Sequence, residues 1–105
     1  MDKRKVLEII SAFKNALESR GIKADKFILF GSYATGQNRE DSDIDLVIVS
    51  KDFKNKNYWE RIDILSDAIY EIFEPIEATA FTPEEWQNRE SIIADFAKNG
   101  EVIYG

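Results

Sequence analysis

Apolar positions change their period along this chain, and each change marks an element. Val6, Leu7, Ile9, Ile10, Phe13, Ala16 and Leu17 recur at helical spacing. They predict an amphipathic helix over residues 3–20, stopped by Gly21. Phe27-Ile28-Leu29-Phe30 is wholly apolar and ends at Gly31, the pattern of a buried strand. Ile44 to Val49, rich in β-branched residues, predicts a second strand, and Lys51 to Asn57 a polar loop. Trp59, Ile62, Leu65, Ile69 and Ile72 mark a second long helix reaching about Phe73, broken by Pro75. Ile76 to Phe81 alternates as a third strand, placing Glu77, Thr79 and Phe81 on one face and Ile76, Ala78 and Ala80 on the other. Thr82-Pro83-Glu84-Glu85 is a helix start, with Thr as N-cap, Pro at the first helical position and Glu three residues after the cap. A last short helix is expected over Ile92, Ile93, Phe96 and Ala97, ending at Asn99-Gly100, and Val102-Ile103-Tyr104 offers a terminal strand. Phe13, Phe27, Phe30, Phe73 and Phe96 fall at positions the pattern assigns to the core. Tyr33, Trp59, Trp86 and Tyr104 stay open between core and surface.

Such alternation predicts an α+β domain, a small mixed sheet with helices packed on one face and its acidic residues on the other. A chain of 105 residues supports one core, so residues 1–105 are expected to form a single domain. No apolar run approaches the ~18–20 residues of a membrane span. The basic Lys3-Arg4-Lys5 leads into an amphipathic pattern, not a signal-peptide core, so a cytoplasmic location is expected. Cysteine and histidine are both absent, which removes disulfides, thiolate zinc sites and the commonest general base. Any chemistry must run on carboxylates, hydroxyls and metal ions. A net charge of −6 suits a polynucleotide poorly, because phosphates are neutralised by Lys and Arg. Generic nucleic-acid binding is therefore not expected; a small nucleotide, or a partner with a basic face, is favoured.

Asp43 and Asp45 carry the strongest chemical signal. At i and i+2 on a strand they point to the same face, where like charges raise each other's pKa unless a cation intervenes. Hard oxygen ligands suit Mg²⁺. Turn chemistry accounts for Asp41 and Asp43 but not for Asp45, which has strand residues on both sides. A calcium loop starting at Asp41 fails, because Leu46 stands where that loop requires glycine. Upstream, Gly31 to Gly36 has the outer spacing of a Walker phosphate loop, but Gln37 and Asn38 replace the lysine and hydroxyl residue. What survives is a strand end, a glycine permitting close backbone approach, and a short helical turn through Ala34 whose first N–H groups and Ser32 hydroxyl suit phosphate oxygens.

Gly-Ser, ten residues, then Asp-x-Asp resembles the signature of the DNA polymerase β-like nucleotidyltransferases. More narrowly, the chain is similar to small minimal nucleotidyltransferases, many of them paired with a HEPN-domain RNase toxin. The resemblance covers most of the chain and implies the polymerase β-like fold. It implies two Mg²⁺ ions on the triphosphate of ATP, held by Asp43, Asp45 and a third carboxylate on the next strand. Glu77 matches that position as the only carboxylate inside the third strand; Glu74 is its rival, next to Pro75 at the helix end. Thr35 stands where most members carry a basic residue. The implied reaction transfers AMP from ATP to a hydroxyl of a macromolecule, a tyrosine of a HEPN toxin, with Gly31 and Ser32 orienting the phosphates. Two other functions fit the same residues: a non-catalytic subunit that neutralises a partner by contact, and an enzyme that adenylylates a small-molecule antibiotic.

Overall fold

The structure is a computed structural model that describes residues 2–36, 42–88 and 100–104. Helix α1 spans Lys3–Glu18, opened by the Asp2 carboxylate, which accepts from the Lys5 N–H at 2.8 Å. It buries Val6, Ile9, Ile10, Phe13, Ala16 and Leu17 of the predicted stripe and leaves Leu7 exposed. Strand β1, Lys26–Phe30, runs into a one-turn helix α2, Ser32–Thr35. Strand β2 is Ile44–Val49, helix α3 Tyr58–Ile72, strand β3 Ile76–Phe81, helix α4 Pro83–Asn88 and strand β4 Glu101–Tyr104.

The four strands form one sheet in the order β3-β2-β1-β4. β1 pairs antiparallel with both neighbours, while β2 and β3 are parallel, so the sheet is mixed. Parallel pairing requires a crossover between the two strands, and α3 is that crossover. α1 and α3 cover one face. Phe27 and Leu29, with Ile44, Leu46 and Ile48, pack there against Phe13, Leu17, Leu65 and Ala68. Ile76, Ala78 and Ala80 join this core, the phase their alternation predicts. The opposite face carries a smaller cluster of Ile28, Val47, Val49 and Trp86, with Phe30 and Phe81 beside it. α4 holds Trp86 there, and its start is the expected capping box. The Thr82 hydroxyl accepts from the Glu85 N–H at 3.2 Å, and the Glu85 carboxylate from the Thr82 N–H at 2.8 Å.

Two expectations fail. Phe73 is not core: it lies beyond the last turn of α3 in a left-handed conformation (φ 53°, ψ 51°) and is 83% exposed. The helical phase that would bury it ends one residue earlier. The stretch from Lys51 to Asn57 is not simply a polar loop either. It contains a 3-10 turn, Lys51–Phe53, whose Phe53 ring is fully buried. The Ser50 hydroxyl, itself buried, donates to the Lys23 carbonyl at 2.6 Å and accepts from the Asp52 N–H. Arg61 on α3 ties down the same loop by donating to the Phe53 and Lys56 carbonyls. The short helix expected around Ile92 to Ala97, with Phe96, lies outside the described residues, as does Asp41.

Candidate active site

The end of β1 and the starts of β2 and β3 meet at one end of the sheet, and every candidate residue lies there. Phe30 is directly opposite Asp45 in the antiparallel pair, and Asp45 is the register partner of Glu77 in the parallel pair. Asp45 and Glu77 therefore project from adjacent strands on the face away from α1 and α3, the one that also carries Val47. The Ile44 N–H donates to the Pro75 carbonyl at 2.8 Å, which pins the entry of β3 beside the entry of β2. Glu74 precedes that ladder: its carbonyl accepts from the Ile76 N–H, and it has no register partner on β2.

Gly31 adopts φ 72°, ψ −152°, a region of backbone space that is essentially restricted to glycine. The reason is visible across the sheet. A Cβ at Gly31 would stand 2.2 Å from Asp45 Oδ2, inside the space that the carboxylate fills. From Gly31 the chain turns into α2, its carbonyl accepting from the Ala34 and Thr35 N–H groups at 3.1 and 3.2 Å. The Thr35 hydroxyl turns back toward the Gly31 and Ser32 carbonyls. Ser32 is thus the first helical residue after the strand end, next to the glycine that touches Asp45.

Asp45 has its pKa raised to about 6. Burial is the largest cause, followed by the charge of Glu77 and a hydrogen bond with its carboxyl, then the charge of Asp43. All of these influences oppose its ionisation, and a cation beside the carboxylate would relieve them. That uncompensated, all-oxygen donor set fits hard divalent cations. Convergence of the three carboxylates is incomplete. Among the described residues no group of three Asp or Glu side chains stands close enough to hold an ion, and Asp43 acts on Asp45 through its field. Asp43 is exposed just before β2.

The candidates expected from the sequence lie together here, but the contact between Gly31 and Asp45 has no signal in the sequence, where the glycine reads as room for a ligand. Tyr33, left open between core and surface, is core: it is 5% exposed, and its hydroxyl is buried with no hydrogen-bond partner among the described residues.

A strand-glycine-serine turn set against an acidic strand entry, on a mixed sheet backed by two helices, defines a nucleotidyltransferase domain. The chain belongs to that family: the sequence model of the Nucleotidyltransferase domain matches residues 10–98. Two proteins of Methanocaldococcus jannaschii are similar to it. "Putative protein adenylyltransferase MJ0141" is 44% identical over 48 residues, 45% of this chain and 48% of that protein. "Putative protein adenylyltransferase MJ0604" is 57% identical over 42 residues, 38% of this chain and 41% of that protein. The matched stretch thus spans about half the length of these curated relatives or less. A solved structure from Sulfolobus solfataricus, described as a "putative nucleotidyltransferase", superposes with a TM-score of 0.70 over 93% of this chain and 78% of its own, at 20% identity. That likeness concerns the fold. Among the described residues no helix is long and apolar enough to cross a membrane.

Proposed function

We propose that the chain is a protein adenylyltransferase that moves AMP from ATP to a hydroxyl of a protein acceptor. The observation that carries this reading is the register pairing of Asp45 with Glu77 beside the Gly31 strand end, which groups acids and a phosphate-sized turn. The names of the Methanocaldococcus relatives support the same activity. Asp43, Asp45 and Glu77 would hold two Mg²⁺ ions, which when bound neutralise triphosphate charge and acidify the attacking hydroxyl. Gly31 keeps the backbone low at the strand end, and the Ser32 hydroxyl orients the β- and γ-phosphates. The acceptor oxygen attacks the α-phosphorus; an O–P bond forms, the bond to pyrophosphate breaks, and the hydroxyl proton passes to the Glu77 carboxylate. With no histidine or cysteine in the chain, in-line attack without a covalent enzyme intermediate is the simplest route.

The resemblance to minimal nucleotidyltransferases supports a tyrosine of a HEPN-type RNase toxin as the acceptor, with this chain as its antitoxin. The test is co-expression with the protein encoded by the neighbouring reading frame, which this reading expects to be of the HEPN type, followed by intact mass measurement of that partner. AMP added by the wild-type chain and absent with Asp43→Asn is the expected result. A partner silenced equally by both proteins, with no mass added, overturns transfer in favour of neutralisation by contact.

A further inference from the structure

β3 is an edge strand: it pairs with β2 on one side, and among the described residues nothing pairs with the other. The Pro75 and Phe81 carbonyls accept from Ile44 and Ser50 on the β2 side. Backbone groups of a parallel strand alternate in direction, so Glu77 and Thr79 also face β2, while Ala78 and Ala80 direct their N–H and C=O groups outward. Natural edges are usually blunted by lysine, proline or a bulge, and β3 from Ile76 to Phe81 carries none of these. A groove of about 610 Å³ runs along this edge between α3 and α4. Ile62, Leu65 and Phe81 line it on the apolar side, and Lys56 and Arg61 bring positive charge to an otherwise acidic chain. Arg61 is held in place by Glu85 at 2.6 Å, and among the described residues the Lys56 ammonium is the groove's cation outside any ion pair, the charge that can attract a ligand carboxylate.

We infer that the free edge of β3 takes an extended, acidic-ended segment of the acceptor polypeptide as a fifth strand. Backbone pairing at Ala78 and Ala80 gives affinity, and the groove accepts side chains from alternate positions. The same pairing sets register. A peptide residue opposite Glu77 would place its Cβ about 5 Å from that of Glu77, on the face that carries the carboxylates. A hydroxyl-bearing residue there is delivered to the proton acceptor. Docking stands on the edge and groove alone; its link to chemistry rests on the transfer reading above.

The test uses the wild-type chain and pools of labelled peptides, about eight residues long as edge strands commonly are. Each pool carries acidic ends, alternating valines and a central Ser, Thr or Tyr. Fluorescence anisotropy without nucleotide is expected to find binding that weakens at least tenfold in Ala80→Pro, whose lost N–H faces only the groove. Main-chain N-methylation of the peptide is expected to have the same effect. A circular dichroism melt checks that Ala80→Pro folds; if it does not, N-methylation alone decides. No binding by any pool, or binding indifferent to both changes, overturns the proposal. Self-association of the wild-type chain that is abolished by Ala80→Pro also overturns it, because the occupant is then a second copy. Labelling from [α-³²P]ATP is read separately. Edge-dependent binding without labelling refutes the transfer reading and leaves docking intact, whereas labelling that ignores Ala80→Pro refutes docking and leaves transfer intact.

Discussion

Asp45 occupies the space that a side chain at Gly31 would need: a Cβ there would lie 2.2 Å from Oδ2. Backbone and carboxylate therefore define each other's position, and the glycine serves the acid as much as the turn. Gly31→Ala is expected to cost about 1–3 kcal/mol for the glycine-only backbone alone, and also to swing the Asp45 carboxylate off its site. Gly36 provides the control. It too has positive φ (78°), but its Cβ would meet nothing within 4 Å among the described residues. Gly36→Ala is expected to lose about 1–2 kcal/mol of stability yet keep Mg²⁺-dependent ATP binding, whereas Gly31→Ala loses both. Urea melts and calorimetry distinguish the two; equal ATP affinity in the two variants would contradict the role given to the Gly31 contact.

Asp45 sets a pH signature. Its folded pKa of about 6 lies above the ~3.9 of an unfolded aspartate, so between these values the folded chain binds more protons. Stability contributed by this group is thus present below pH 4 and falls as pH rises through 6. Asp45→Asn removes the loss. After discounting for solvent screening of a part-exposed group, a gain of roughly 1 kcal/mol at pH 7.5 is expected, vanishing near pH 4. Denaturant melts of both proteins at the two pH values measure it. The same substitution is expected to abolish Mg²⁺-dependent ATP binding, and in the wild type that binding strengthens from pH 5 to pH 7 as Asp45 ionises.

Glu77 and Glu74 separate by register. Glu77 is paired with Asp45, and Glu74 lies before the ladder. Glu77→Gln is expected to retain ATP binding in Mg²⁺ and lose at least 100-fold in transfer, the upper range for a general base being about 10⁴-fold. Glu74→Gln is expected to be silent within twofold. Single-turnover labelling with [α-³²P]ATP makes the comparison, and the reverse order would exclude Glu77 as the proton acceptor.

The strands were legible where periodicity was unbroken. Ile44–Val49 is read to the residue, because β-branched side chains run from a turn signal to a serine. The phase of Ile76, Ala78 and Ala80 followed from alternation, and with it the face of Glu77. Periodicity is silent about which strands adjoin. The pairing of Asp45 with Glu77 comes from a parallel crossover through α3, and β4 beside β1 from the return of the chain to the far edge. Phe53 was invisible for another reason: one aromatic among polar residues has no period, and its burial depends on Ser50 and Arg61 folding the loop beneath it. Asp43 is expected as a ligand from its spacing, but spacing does not set its rotamer, and its exposed side chain does not converge with Asp45 and Glu77 among the described residues.

Phe73 gives the last prediction because it contradicts its own local chemistry. A helix ending in a left-handed residue normally uses glycine or asparagine, since a Cβ there costs about 1–2 kcal/mol. Here a phenylalanine adopts that conformation at φ 53°, its N–H bonded to the Ile69 carbonyl at 2.9 Å and its ring 83% exposed. Little burial offsets the strain. Phe73→Gly is expected to raise stability by about 0.5–1 kcal/mol, the relieved strain less the extra unfolded-state entropy of glycine. Phe73→Ala keeps the Cβ and should gain nothing. Thermal and urea melts of the three proteins decide. A loss of stability in Phe73→Gly would mean that the ring is held by contacts its exposure hides, and the hollow of about 300 Å³ between Tyr70, Phe73 and Pro75 would then be the place to look for them.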